Sequence, residues 1–81
     1  MTATVMIFKY KDVEIAKSRP MPVVQSKDVQ KAYYDIVGTK SAIVLHLTRK
    51  EARRKKLPVM GIKQLRSWKI YYDKAVGEGY E

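Results

Sequence analysis

The sequence predicts a small α+β domain. We expect a three- or four-stranded, mostly antiparallel sheet with two packed helices and a short basic helix, in the order ββαβαα. Two stretches near the N terminus are rich in β-branched and aromatic residues, as strands are. Two later stretches repeat apolar residues at three- and four-residue steps, which indicates helices. A length of 81 residues predicts a single domain, 1–81, with one small core.

The first strand is predicted over Ala3–Lys11. Both of its faces are largely apolar, so we expect it at the centre of the sheet. Val13–Ala16 is predicted to be a shorter strand, joined to the first by a tight turn at Lys11-Asp12. The turn type stays open, because neither Asn-Gly nor Asp-Gly is present.

The segment Ser18–Pro22 contains two prolines and cannot be helical, because each proline favours extended backbone in the residue before it. A stiff connector is the favoured interpretation, and a peptide-recognition element is the alternative. Val23–Val24 is predicted to return briefly to the sheet.

A first helix is predicted over Ser26–Val37. Ser26 is a suitable N-cap, and Asp28 in the first turn complements the helix dipole. Gly38 is the expected C-terminal stop. The apolar stripe consists of Val29, Ala32, Tyr33 and Ile36.

Ser41–Leu47 is predicted to be a second central strand, because it is apolar on both faces. His46, near its end, has no nucleophile or carboxylate partner in the sequence pattern. We therefore expect a half-buried histidine bonded to backbone rather than a catalytic or ligand-binding group.

The block Thr48–Lys56, called the basic block below, carries six of the seventeen basic residues of the chain. Thr48 and Glu51 fit a capping box, in which each satisfies a free backbone N–H at a helix start. We expect this helix to run to about Lys56. Like charges four residues apart on it repel by roughly 0.2–0.5 kcal/mol per pair, and an anionic partner would remove that repulsion.

A final helix is predicted over Ile62–Val76. Its inner face is expected to dock on the sheet through Ile62, Leu65, Trp68, Tyr72, Ala75 and Val76, with Trp68 as the largest anchor. The opposite side presents Lys63, Arg66, Ile70 and Lys74, flanked by Gln64 and Ser67. The sequence therefore predicts a second basic stripe shortly after the basic block.

Two helices joined by a short turn describe a helix-turn-helix unit. The run Leu47-Thr48…Glu51-Ala52…Leu57…Val59…Leu65-Arg66…Trp68, about a quarter of the chain, resembles the MerR/excisionase type of DNA-binding segment. Two spacings are longer by a residue, and Pro58 replaces the usual turn glycine. Arg53 and Lys55 stand where apolar packing residues are expected.

Several classes are disfavoured by composition. The chain has no cysteine, a single histidine and no glycine-rich phosphate loop, and its sequence shows no recognisable acid–base pair. We therefore expect neither an enzyme nor a metal, cofactor or small-molecule site. No apolar run approaches the roughly 20 residues of a membrane span. Without a recognisable signal peptide, a soluble cytoplasmic protein is expected.

The net charge of +9 favours an anionic partner, and nucleic acid is the commonest. Double-stranded DNA is favoured over RNA, and a small transcriptional regulator is one candidate role. The alternative is a protein-interaction module, an inhibitor or adaptor of viral or plasmid type, that docks on an acidic protein. A plainly solvated charged face is a third interpretation, and homodimerisation is a further candidate. The predicted phosphate contacts are Arg49, Lys50, Arg53, Arg54, Lys55 and Lys56. Lys63, Gln64 and Arg66 are predicted to contact base edges or further phosphates, and Gln64 and Arg66 are the candidates for sequence readout.

Overall fold

The computed structural model describes residues 3–78 and contains a four-stranded antiparallel sheet with three α-helices and one 3₁₀ helix. The strands are β1 (Ala3–Tyr10), β2 (Val13–Lys17), β3 (Met21–Pro22) and β4 (Ala42–Leu47). The helices are α1 (Val23–Val37), α2 (Arg49–Arg53), the 3₁₀ helix (Ile62–Ser67) and α3 (Trp68–Glu78). The predicted α+β class is confirmed.

The strand β1 lies at the centre of the sheet. It pairs with β2 and β3 along one edge and with β4 along the other, all antiparallel. Its residues Thr4–Phe8 are buried on both faces. The expectation of a central first strand is therefore confirmed.

The turn between β1 and β2 has positive φ at both central residues, Lys11 (49°) and Asp12 (67°). Positive φ at both positions is typical of a type I′ hairpin turn, whose twist matches that of the two strands. The strand β2 contains a bulge opposite Phe8 and Lys9 of β1, and Ile15 is its extra residue. The bulge allows the adjacent Ile15 and Ala16 both to be buried.

The prediction that Ser41–Leu47 is a central strand is wrong, because β4 is an edge strand paired with β1 alone. Ile43 and Leu45 on it are 39% and 37% exposed. A pattern that is apolar on both faces shows only that the strand has few polar residues. The number of strands that pair with it depends on contacts between distant parts of the chain. His46 is also exposed, and its Nε2 lies 2.7 Å from Oε1 of Gln30 rather than against backbone.

The outer edge of β4 is partly capped by the end of α1. The N–H of Val44 donates to the hydroxyl of Tyr34 at 3.2 Å, and the N–H of Ala42 donates to the carbonyl of Gly38 at 3.3 Å. These bonds occupy donors that an edge strand otherwise offers to another chain. Strand addition is therefore obstructed at the Ala42 end of β4.

Helix α1 begins at Val23, so the predicted start at Ser26 and the predicted return of Val23–Val24 to the sheet are wrong. Pro22 is the N-cap residue, with extended backbone, and β3 ends there. Ser26 lies inside the helix, and its hydroxyl donates to the carbonyl of Val23 at 2.6 Å. The predicted stop is confirmed, because Gly38 has φ of 101° and its N–H bonds to Tyr34.

The main core lies on the sheet face that carries Met6 and Phe8, between the sheet and α1, the 3₁₀ helix and α3. Tyr33 of α1 packs its ring 4.8 Å from that of Phe8, and its hydroxyl donates to the carbonyl of Lys9 at 2.8 Å. Leu65 of the 3₁₀ helix is also fully buried. The core thus joins elements from both ends of the chain.

The predicted single helix Ile62–Val76 is instead a 3₁₀ helix followed by α3. Trp68, at the junction, is half-buried and its ring lies 4.8 Å from that of Tyr10. Ile62 was expected on the inner face, but it is 58% exposed because the 3₁₀ turn changes the angular position of residues before Trp68. Ile70, expected on the outer side, is 68% exposed.

Tyr33 should govern part of the alkaline stability of the fold. Burial, and then the neighbouring Tyr34 and Tyr10, raise the pKa of Tyr33 far above its usual value. In the unfolded chain tyrosine loses its proton near pH 10, so stability falls as pH rises above about 10, by up to about 1.4 kcal/mol per pH unit. We expect Tyr33→Phe to cost about 1 kcal/mol at neutral pH and to lose less stability between about pH 10 and 11.

Urea denaturation at the two pH values measures this effect, with Tyr72→Phe as the control, since Tyr72 is half-buried. An alkaline decline for Tyr33→Phe as steep as that of the native chain would contradict the assignment.

Candidate nucleic-acid interface

Helix α2 starts with the capping box that the sequence predicts. The N–H of Glu51 donates to Oγ1 of Thr48 at 3.2 Å, and the N–H of Thr48 donates to Oε1 of Glu51 at 3.0 Å. The backbone N–H of Thr48, and then its hydroxyl, hold the pKa of the Glu51 carboxyl below its usual value. These bonds fix the start of a helix that has only five residues.

The other end of α2 is held by β2. The ammonium of Lys17 donates to the carbonyl oxygens of Ala52 and Lys55, at 3.4 and 3.1 Å, and so lies at the C-terminal end of α2, where the helix dipole favours a cation. Lys55 in turn forms an ion pair with Glu14 at 2.8 Å. Ala52, the apolar residue of α2, is buried beside Val5.

Four predicted contact residues on α2 and at its C-cap are exposed: Arg49, Lys50, Arg53 and Arg54. None of them forms a salt bridge to another of the described residues. Lys56 is exposed as well and lines a cavity with Lys74, whereas Lys55 is half-buried and paired with Glu14. The α2 helix therefore presents a compact group of cations, from which Lys55 is partly withdrawn.

The remaining predicted residues lie on the 3₁₀ helix. Lys63, Gln64 and Arg66 are all exposed. The side-chain oxygen of Gln64 accepts the N–H of Gly61 at 3.1 Å, so this amide caps the helix start. A Cβ on Gly61 would lie 2.8 Å from that oxygen, so a larger residue there would displace the Gln64 side chain from this cap.

The cations of α2 and those of the 3₁₀ helix, Lys63 and Arg66, are two basic groups that lie on opposite faces of the sheet. Leu47 and Val5 are cross-strand neighbours on one face, where Ala52 of α2 is buried beside Val5. The 3₁₀ helix packs with α1 and α3 on the face of Met6. The expected single basic surface, formed by two consecutive helices of a helix-turn-helix unit, is therefore absent from residues 3–78.

The connection after α2 explains this separation. The N–H of Lys17 donates to the carbonyl of Pro58 at 2.9 Å, and the N–H of Met60 donates to the carbonyl of Lys17 at 2.9 Å. The chain therefore passes along the outer edge of β2 and delivers the buried Met60 to the opposite face. The predicted helix to Lys56 ends at Arg53.

Arg19 is a cation outside the predicted set of contact residues. It lines a small cavity together with Arg49 and Arg53, and it also lines the groove that contains Lys63. Arg19 therefore lies between the two basic groups at one end of the sheet. A basic residue within a stiff proline segment was the available signal, but its neighbours come from distant parts of the chain.

Capping of α2 should control its local order. Thr48→Ala removes one half of the capping box and should cost about 1 kcal/mol. We expect faster cleavage by trypsin after Arg49–Arg54 under native conditions, with Thr39→Ala, in an exposed turn, as the control. Because the pKa of Glu51 is lowered, its contribution is present at neutral pH and is lost as pH falls through that pKa. Unchanged cleavage would show that the capping box does not hold α2.

No other kind of site is apparent among the described residues. No group of three histidine, aspartate or glutamate side chains in residues 3–78 is arranged to hold a metal ion. Within the same residues, no helix has the length and apolar character needed to cross a membrane. Comparison with known proteins found no matching family model, no matching curated protein and no matching solved structure.

Proposed function

We propose that this protein binds nucleic acid through the phosphate backbone, with double-stranded DNA as the favoured target. The observation that supports this proposal is a group of five cations, called the α2 cation group below: Arg19, Arg49, Lys50, Arg53 and Arg54. These five side chains are exposed, and none pairs with a carboxylate among residues 3–78. Such a group attracts a polyanion and loses its internal repulsion on binding.

The expected contacts are mainly with phosphates. Arginine and lysine side chains that contact phosphates provide affinity without reading sequence. Gln64 and Arg66, the predicted readers of base edges, lie on the other sheet face, and the amide oxygen of Gln64 is bonded to Gly61. We therefore expect similar affinity for duplexes of different sequence. With this role we propose a cytoplasmic location.

Salt dependence tests the proposal. Five phosphate contacts predict a slope of about −4.5 in log affinity against log salt, or a loss of roughly 500-fold between about 50 and 200 mM. Fluorescence anisotropy with a labelled DNA duplex, and with an RNA duplex of the same sequence, gives both slopes and both affinities. Absent binding at low salt, or binding that salt leaves unchanged, would refute the proposal.

An acidic protein is the second candidate partner, and one observation favours it. Ile43 and Leu45 are exposed on the sheet face that also carries α2. Apolar side chains beside a group of cations would complement a protein surface with apolar and acidic residues. Under this alternative the protein ignores both duplexes at low salt. Ile43→Ser with Leu45→Ser would then weaken capture of an acidic partner, whereas it should leave duplex binding unchanged under the first proposal.

A further inference from the structure

A cavity of about 180 Å³ lies where β1 begins and β2 ends. Arg19, Arg49 and Arg53 all line it, and none of its described lining residues is a carboxylate. Lys17 lines it too, but its ammonium is bonded to backbone carbonyls at the end of α2. Three arginines thus border one small space whose described lining contains no carboxylate.

The backbone at each of the three arginines is held by hydrogen bonds or by helix α2. Ser18, which is buried, receives the N–H of Met6 at 2.9 Å on its hydroxyl and donates that hydroxyl to the carbonyl of Arg19 at 3.0 Å. Arg49 and Arg53 are four residues apart on α2 and so lie on the same side of that helix. The three side chains therefore have fixed starting points around the cavity.

The chemistry of the lining favours phosphate over other anions. Guanidinium groups bind phosphate and carboxylate oxygens in pairs, with a planar, forked geometry. Three arginines from two parts of the chain can donate in more directions than one planar carboxylate accepts, whereas a tetrahedral phosphate accepts from several directions. A cavity of about 180 Å³ is also far larger than the roughly 10–15 Å³ that one water molecule needs.

We propose that this cavity binds a single phosphate group of a nucleic-acid strand. This inference rests on the proposed function and extends it, because it names the contact that anchors the strand. The phosphate is either the monoester at a strand end or a diester within the strand. The monoester offers three terminal oxygens to the arginines, whereas the diester offers two terminal oxygens and two weaker ester oxygens.

Inorganic phosphate is the direct probe. We expect saturable shifts of the Arg19, Arg49 and Arg53 signals in ¹⁵N NMR spectra, recorded at constant ionic strength with chloride as the balancing ion. Arg19→Gln should weaken phosphate binding at least tenfold. Lys31→Gln, which removes an exposed cation of α1 outside the cavity lining, should change it less than twofold. Equal effects of the two variants, or shifts spread over all cations, would overturn the inference.

Two oligonucleotides distinguish the sources of the phosphate. A thymidine tetranucleotide with a 5′-phosphate should bind about tenfold more tightly than its 5′-hydroxyl form if the cavity takes a strand end. Equal binding of both, still weakened by Arg19→Gln, assigns the cavity to an internal phosphate. If the duplex still binds, and Arg19→Gln and Arg54→Gln weaken its binding equally, the phosphate site in the cavity is refuted but the proposed function is not. Phosphate binding without any duplex binding refutes the proposed function alone.

Discussion

Replacing Arg49 and Arg53 with glutamate is expected to weaken duplex binding at least about 100-fold at low salt. Each arginine–phosphate contact is a charge-assisted hydrogen bond worth about 1.5–3 kcal/mol, and about 1.4 kcal/mol corresponds to a tenfold change in affinity. The salt slope should also become shallower by about two units, because two phosphate contacts are lost. Anisotropy titrations of a labelled duplex across a salt series measure both quantities.

The matched control is Lys31→Glu with Lys40→Glu. These residues are exposed on α1 and in the turn after it, away from α2, and their replacement changes the net charge by the same amount. If the control pair weakens binding as much as the α2 pair, the effect reflects total charge, and the α2 cation group is not the interface. Urea denaturation of both variants checks that each remains folded.

Phe8→Ala is expected to have the largest effect on stability. Phe8 is fully buried at the centre of the sheet and packs against Tyr33, so its loss leaves a cavity that neighbouring elements cannot easily fill. Such substitutions cost about 3–5 kcal/mol. A domain of this length has roughly 4–12 kcal/mol of stability in total, so much of it should disappear.

Urea denaturation followed by circular dichroism measures this loss. Ile70→Ala, at an exposed position of α3, is the control and should change stability by less than about 0.5 kcal/mol. A loss below about 1 kcal/mol for Phe8→Ala would show that the core does not centre on this residue.

Features encoded by neighbouring residues could be predicted from the sequence. Thr48 and Glu51 form the predicted capping box because both partners lie within one helical turn. Gly38 ends α1 because a positive φ is a local requirement. The strand β1 is predicted to be central because the residues on both of its faces are largely apolar.

Features that depend on distant contacts could not be predicted in this way. The edge position of β4 follows from its pairing with β1 alone, which the pattern of Ser41–Leu47 does not encode. The separation of α2 from the 3₁₀ helix depends on the pairing of Lys17 with Pro58 and Met60, about forty residues away. The proximity of Arg19 to Arg49 has the same origin.

The separation of the two basic groups also changes the functional hypothesis. The sequence predicts phosphate contacts on α2 and base contacts on the following helix, as one continuous surface. The fold instead joins α2 to Arg19, and it leaves Lys63 and Arg66 on the opposite side of the sheet. A protein that uses the α2 side alone should bind with little sequence preference.

The most direct test of this account is an NMR titration of the ¹⁵N-labelled protein with a short DNA duplex at low salt. We predict that the largest shifts occur at Arg19 and across Arg49–Arg54, and that they diminish as salt is added. Shifts concentrated at Lys63, Arg66 and Lys74 instead, or no shifts at all, would contradict it.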